Sequence, residues 1–155
     1  MENSDTAGVI APPPLLYLGS LASGAALNLL FPWPLLDAPH MLQVLGFLLA
    51  ASGAFIARWS FVTMKRMGTS ADPRKSSMAL ATGGPFRISR NPIYLAMTML
   101  YVGAGLLLNS FWPLSFLFPL IFLMHYGVIL KEEKYLEVKF GKPYLEYKLK
   151  TGRWF

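Results

Sequence analysis

Two stretches of this chain are nearly free of charge, and that alone rules out an ordinary soluble domain. Between Thr6 and Ala57 the sole charge is Asp37, and between Asn91 and Leu130 there is none. A transmembrane helix takes roughly 20 apolar residues, so each stretch is about two spans long. The composition agrees, with 54% hydrophobic and 14% charged residues in a chain of 155. The expectation is an all-α integral membrane protein forming a single domain over residues 1–155.

Four transmembrane helices fit, over residues 13–31, 41–62, 92–108 and 111–130. The breaks between them are turn chemistry: FPWPLLDAPH holds three prolines and an aspartate, and LLNSFWP holds Asn109, Ser110 and Pro113. Connections this short predict two helical hairpins. The opening MENSDTAGVI lacks the basic n-region of a signal peptide, so the first span is expected to stay in the mature protein.

Orientation follows from the cations. Seven of the fourteen Lys and Arg lie between Arg58 and Arg90, and the other seven between Lys131 and Arg153. Neither short loop holds one. The positive-inside rule therefore places the loop 64–91, the segment 131–155 and both termini in the cytoplasm. The net charge of +6 then suits anionic membrane lipids rather than nucleic acid, for which no module is legible. After the fourth span, KEEKYLEVKF continues as a helix that Gly141 ends. PYLEYKLK forms a second short cytoplasmic helix, with Tyr144 and Tyr147 facing the interface or the bundle.

Two clusters could carry chemistry. In GGPFRISRNPIY, Asn91 suits a helix N-cap and Pro92 a first helical residue, which leaves free N–H groups and the positive end of a helix dipole there. Arg87 and Arg90 add forked donors that fit a carboxylate or phosphate, and Tyr94 lies one turn along. The plainer alternative is that these arginines only set topology and touch lipid phosphates. In MHYGVILKEEKYL, His125 and Glu132 are seven apart, as are Tyr126 and Glu133, so each pair is expected to stack on one helical face. An acid pair on a solvated helix is ordinary, but both clusters should meet at the same membrane surface.

Other chemistries are not supported by the sequence. It holds no phosphate-binding glycine loop, no cysteine, and two distant histidines, so neither a Rossmann site nor a metal site is expected. No acidic or basic residue lies within the middle of any span, which argues against a proton-coupled transporter or an ion channel.

The stretch MGTSADPRKSSMALATGGPFRISRNPIY, followed two spans later by KEEKYLEVKFGKPYLEYK, resembles the isoprenylcysteine carboxyl methyltransferase family, related to the membrane phospholipid N-methyltransferases. That family shows GP(Y/F)R-x-x-R-(H/N)-P-x-Y and then E-E-x-x-L-x-x-x-F-G-x-x-Y-x-x-Y. Every fixed position of the second is present in EEKYLEVKFGKPYLEY. The resemblance covers roughly the C-terminal 90 residues and implies an enzyme using S-adenosylmethionine, with S-adenosylhomocysteine as product and a lipidic or hydrophobic acceptor.

Carried over by position, the resemblance implies a cofactor pocket from Arg90, Asn91, Pro92 and Tyr94, closed by Glu132 and Glu133. Glu146, Lys150 and Arg153 fall where the family places substrate-facing residues. An amine-directed phospholipid N-methyltransferase is the alternative. A non-enzymatic four-span lipid-binding or transport protein is a further one.

Overall fold

Proline decides where most of the helices begin, because its fixed φ suits a first turn whose N–H groups have no intrahelical acceptor. In the computed structural model, which describes residues 6–73 and 76–155, α1 runs Pro13–Leu30 and α2 runs His40–Arg66 directly after Pro39. A 3₁₀ turn, Gly84–Arg87, precedes α3, Pro92–Leu107. Then come α4 (Phe111–Met124), α5 (Leu130–Phe140) and α6 (Lys142–Lys150). The acidic first five residues, and Arg74 and Lys75 of the basic loop, lie outside the described residues.

A π turn, His125–Ile129, joins α4 to α5, so Phe111–Phe140 is one continuous rod. Three helices are long and apolar enough to cross a membrane: α1, α2 and this rod. The remaining apolar helix, α3, has 16 residues and spans about 24 Å at the α-helical rise, short of the ~30 Å hydrocarbon layer. Among the described residues there is no β-sheet, only an isolated bridge between Pro34 and Ser110.

The packing differs from the two self-contained hairpins expected. α2 packs chiefly on α3, and α1 chiefly on α4. Lipid tails give apolar helices no hydrophobic reason to associate, so close approach through small residues does the work. A Cβ on Gly103 would lie 2.7 Å from the Gly46 carbonyl oxygen, and one on Gly53 would lie 2.8 Å from that of Ala96. Gly24 lets Pro113 of α4 approach α1 in the same way. Hydroxyls tie α1 to α3, with Tyr17 bonded to Thr98 at 2.8 Å and Ser20 to Tyr101 at 3.0 Å.

The two short loops meet at one end of the bundle. Phe111 N donates to Trp33 O at 3.0 Å, and Asn109 Nδ2 to Leu36 O at 2.8 Å. Large apolar side chains on α1 and α2, among them Leu18, Phe47, Leu48 and Phe55, remain exposed and form the surface that lipid would cover. The helices and their packing thus describe an integral membrane protein with its basic segments gathered at the end opposite the short loops.

Candidate active site at the basic end

The loop before α3 is held from two sides. Gly84 has φ +56, and its missing side chain leaves room for Thr63 and Trp59 of α2, which a Cβ would approach to 2.8 and 3.1 Å. Behind it, Phe86 is buried and its carbonyl accepts the Tyr147 hydroxyl of α6 at 2.6 Å. The C-terminal tail then laces the loop down. Arg90 N donates to Gly152 O at 2.9 Å, and Ser89 Oγ to Arg153 O at 3.2 Å. Asn91 occupies the N-cap position of α3, but its side chain makes no cap bond. Its Nδ2 instead donates to Arg153 O at 3.1 Å. Competition from the tail carbonyl has overridden the local capping preference.

On the facing rod, Glu132 and Glu133 are successive residues and point to different partners. Tyr94 of α3 donates its hydroxyl to Glu132 Oε2 at 2.7 Å. Glu133, 6% exposed, accepts two bonds from Arg153, from Nε at 2.9 Å and from Nη2 at 2.8 Å. Arg90 reaches the same carboxylate only through Nη2, at 3.4 Å. Its Nε and Nη1 are buried and have no hydrogen-bond partner among the described residues. Thr69 Oγ1 is in the same state. Buried donors are nearly always satisfied, so orphans of this kind point to a missing acceptor.

These groups surround one cavity. It is bounded by the loop from Thr69 to Pro73, the start of α3, the acidic face of α5 and the two tyrosines Tyr144 and Tyr147 of α6. About 850 Å³ of space lies within it, part of that open solvent.

The electrostatics follow from burial. Glu132, on the charged extension of the rod beyond Leu130, is pushed up from 4.5 to about 7 by burial, with the Tyr94 hydrogen bond opposing and the Glu133 charge adding to the rise. Burial would raise Glu133 too, but the Arg153 hydrogen bond and the Arg90 and Arg153 charges hold it below the usual carboxylate value. Burial and the Glu133 charge push the Tyr144 hydroxyl up to about 12, with the charge and a hydrogen bond of the neighbouring Arg90 guanidinium opposing the rise. The cavity therefore holds a fixed anion–cation cluster beside a carboxyl that changes charge near neutrality.

Of the residues singled out in the sequence, the structure brings Arg90, Asn91, Pro92, Tyr94, Glu132 and Glu133 together on this cavity. Arg87 is exposed on the 3₁₀ turn and does not line it. His125 and Tyr126 lie in the π turn, their rings edge to face with centroids 4.8 Å apart, and Tyr126 is 56% exposed. The i→i+5 bonding of that turn breaks the seven-residue register that would have stacked them on Glu132 and Glu133. Glu146 pairs with Lys142 at 3.9 Å on the exposed side of α6, and Lys150 is exposed at its end. Arg153 lies against Glu133 and not on the cavity lining.

Tyr144 and Tyr147 turn onto the cavity, a possibility that their spacing of three left open. Thr69 has no signal in the sequence beyond its place in a Gly- and Ser-rich loop.

A bundle of apolar helices thus carries at one end a charged cavity lined by Arg90, Glu132 and Glu133. The chain belongs to the phospholipid methyltransferase family, whose model matches residues 41–143, from α2 to the first turn of α6. It is accordingly a membrane methyltransferase by family. No curated protein and no solved structure shows a significant match to it.

Proposed function

We propose that the protein transfers a methyl group from S-adenosylmethionine to a lipidic or hydrophobic acceptor at the cytoplasmic membrane face, in the manner of the isoprenylcysteine carboxyl methyltransferases. The observation that carries this reading is Arg90, which lines the cavity and whose buried Nε and Nη1 have no hydrogen-bond partner among the described residues. A carboxylate such as that of an amino-acid moiety could accept a charge-assisted hydrogen bond from one of these donors. Ionised Glu132 offers the complementary charge for an ammonium group, and the rings of Phe86, Tyr144 and Tyr147 offer aromatic surface. The donor set thus fits the zwitterionic and aromatic character of the cofactor.

When bound, S-adenosylmethionine supplies a methyl group already activated on a sulfonium. What remains for the chain is to position and to exclude water. Arg90 orients the cofactor from the loop side and Glu132 from the rod. Lys150 and Glu146, exposed on α6, are left for an acceptor that approaches from outside the cavity. In this reading α3 is a fourth, shortened crossing packed along α2, both termini are cytoplasmic, and a lipid acceptor arrives sideways from the bilayer.

An amine acceptor is the second reading, and Glu132 favours it. A carboxyl titrating at about 7 is suited to take the proton that an ammonium acceptor must lose.

The test is transfer of labelled methyl from S-adenosylmethionine by the purified protein in lipid nanodiscs, with a prenylated cysteine or phosphatidylethanolamine as acceptor. Base-labile label means a carboxyl ester, base-stable label an N-methyl group. Label in neither acceptor, from protein that is folded and binds S-adenosylhomocysteine, contradicts both acceptor assignments.

A further inference from the structure

Two arginines compete for one carboxylate in this site, and the outcome of that competition has a consequence for the ligand. Glu133 gives both its oxygens to Arg153, through Nε at 2.9 Å and Nη2 at 2.8 Å. That pairing is a planar fork on a planar carboxylate, the strongest arrangement the two groups can make. The tail backbone holds Arg153 in place, since its carbonyl accepts Ser89 Oγ and Asn91 Nδ2, and the neighbouring Gly152 carbonyl accepts Arg90 N. Arg90 keeps one long contact to Glu133, at 3.4 Å, and its Nε and Nη1 stay unbonded although its side chain is only 9% exposed. Without Arg153, a carboxylate and a guanidinium that are both largely buried, the latter with spare donors, would close onto each other.

We propose that Arg153 is a positioning residue: by occupying both oxygens of Glu133 it keeps the unbonded Nε and Nη1 donors of Arg90 from being drawn onto that carboxylate, so that they are left for the anionic group of a ligand. The C-terminal tail acts as a competing cation built into the fold. Glu133 in turn orients the two arginines and need not touch the ligand. This inference rests on the reading of the cavity as a site for a ligand carboxylate, and the experiment separates the two.

The probe is S-adenosylhomocysteine, titrated calorimetrically into detergent-purified protein, with the melting temperature of each variant measured alongside. Arg153→Ala is expected to weaken binding by about 10- to 100-fold, the equivalent of one charge-assisted hydrogen bond or so withdrawn from the ligand. Adding Glu133→Gln to that variant removes the charge that captures Arg90, and is expected to recover at least tenfold of the loss. Arg153→Lys, which keeps the charge but not the fork, falls between. A merely structural role predicts the reverse, with the second substitution deepening the loss in step with the melting temperature.

Wild-type binding with no loss in Arg153→Ala, or a loss that Glu133→Gln leaves unrelieved, overturns the role of Arg153 alone. Failure of the folded wild type to bind overturns the reading of the cavity, and the inference with it. Should Arg153→Ala not fold, the same comparison is made between Arg153→Lys and Arg153→Lys/Glu133→Gln.

Discussion

The hydroxyl of Tyr94 donates to Glu132 Oε2 at 2.7 Å, joining the start of α3 to the rod 38 residues further along the chain. Tyr94 is 7% exposed and belongs to the apolar core, together with Tyr17, Met124, Val128 and Ile129. One contact therefore connects the packed interior of the bundle to the floor of the polar cavity. It also gives a buried carboxyl one good partner while leaving its charge sensitive to its surroundings.

Tyr94→Phe keeps the ring and its packing but strands Glu132. The loss of a hydrogen bond to this part-buried carboxyl is expected to cost about 1–2 kcal/mol. Because the Tyr94 bond opposes the upward shift of Glu132, the carboxyl should also titrate higher in the variant. Thermal unfolding in detergent at pH 6 and pH 8 reads both effects, and an unchanged melting temperature at both would contradict them.

Glu132 also sets a pH dependence whose sign can be worked out. Its folded value, about 7, lies above the ordinary 4.5. The folded state thus holds a proton that the unfolded state has released between those limits, and stability must fall as pH rises from about 4.5 to about 7. Glu133 shifts the other way, so its contribution is lost only as pH falls below the usual carboxylate range. Glu132→Gln should flatten the melting temperature across pH 5–7. A slope equal to that of the wild type would assign the titration to another group.

The α2–α3 seam makes a sharper prediction about packing. A Cβ on Gly103 would meet the Gly46 carbonyl at 2.7 Å and Ala50 N at 2.9 Å, and backbone atoms cannot swing aside. Gly103→Ala should therefore destabilise by about 1–3 kcal/mol through overpacking. Gly19 on α1 has nothing within 4 Å of its virtual Cβ. Gly19→Ala should be neutral or stabilising by up to about 1 kcal/mol from helix propensity. Equal effects at the two sites would mean that the seam is looser than it looks.

Much of this architecture can be read from the residues, and the limits of that reading are physical. The charge-free stretches and the prolines at Pro13, Pro92 and Pro143 predict where helices lie, because each acts locally. Which helix packs on which depends on where glycines face across space, so the pairing of α2 with α3 through Gly46, Gly53 and Gly103 is invisible along the chain. The π turn likewise defeats simple periodicity, rotating His125 and Tyr126 away from the register of Glu132 and Glu133. It also exposes a carbonyl, that of Gly127, which accepts Ile10 N at 3.2 Å. The grouping of Arg90, Tyr94, Glu132 and Glu133 is legible from two motifs. The part played by the tail is not, since Arg153 meets Glu133 only once α6 has folded back.

The central claim is that this cavity binds the methyl-donor cofactor through Arg90. Its most direct test is a calorimetric titration of the purified wild type and Arg90→Ala with S-adenosylhomocysteine. Saturable binding is expected from the wild type, and a loss of about 100-fold in the variant, which still folds, since a charge-assisted hydrogen bond to the ligand disappears. Equal affinity in the two proteins, or no binding by a folded wild type, would contradict that claim.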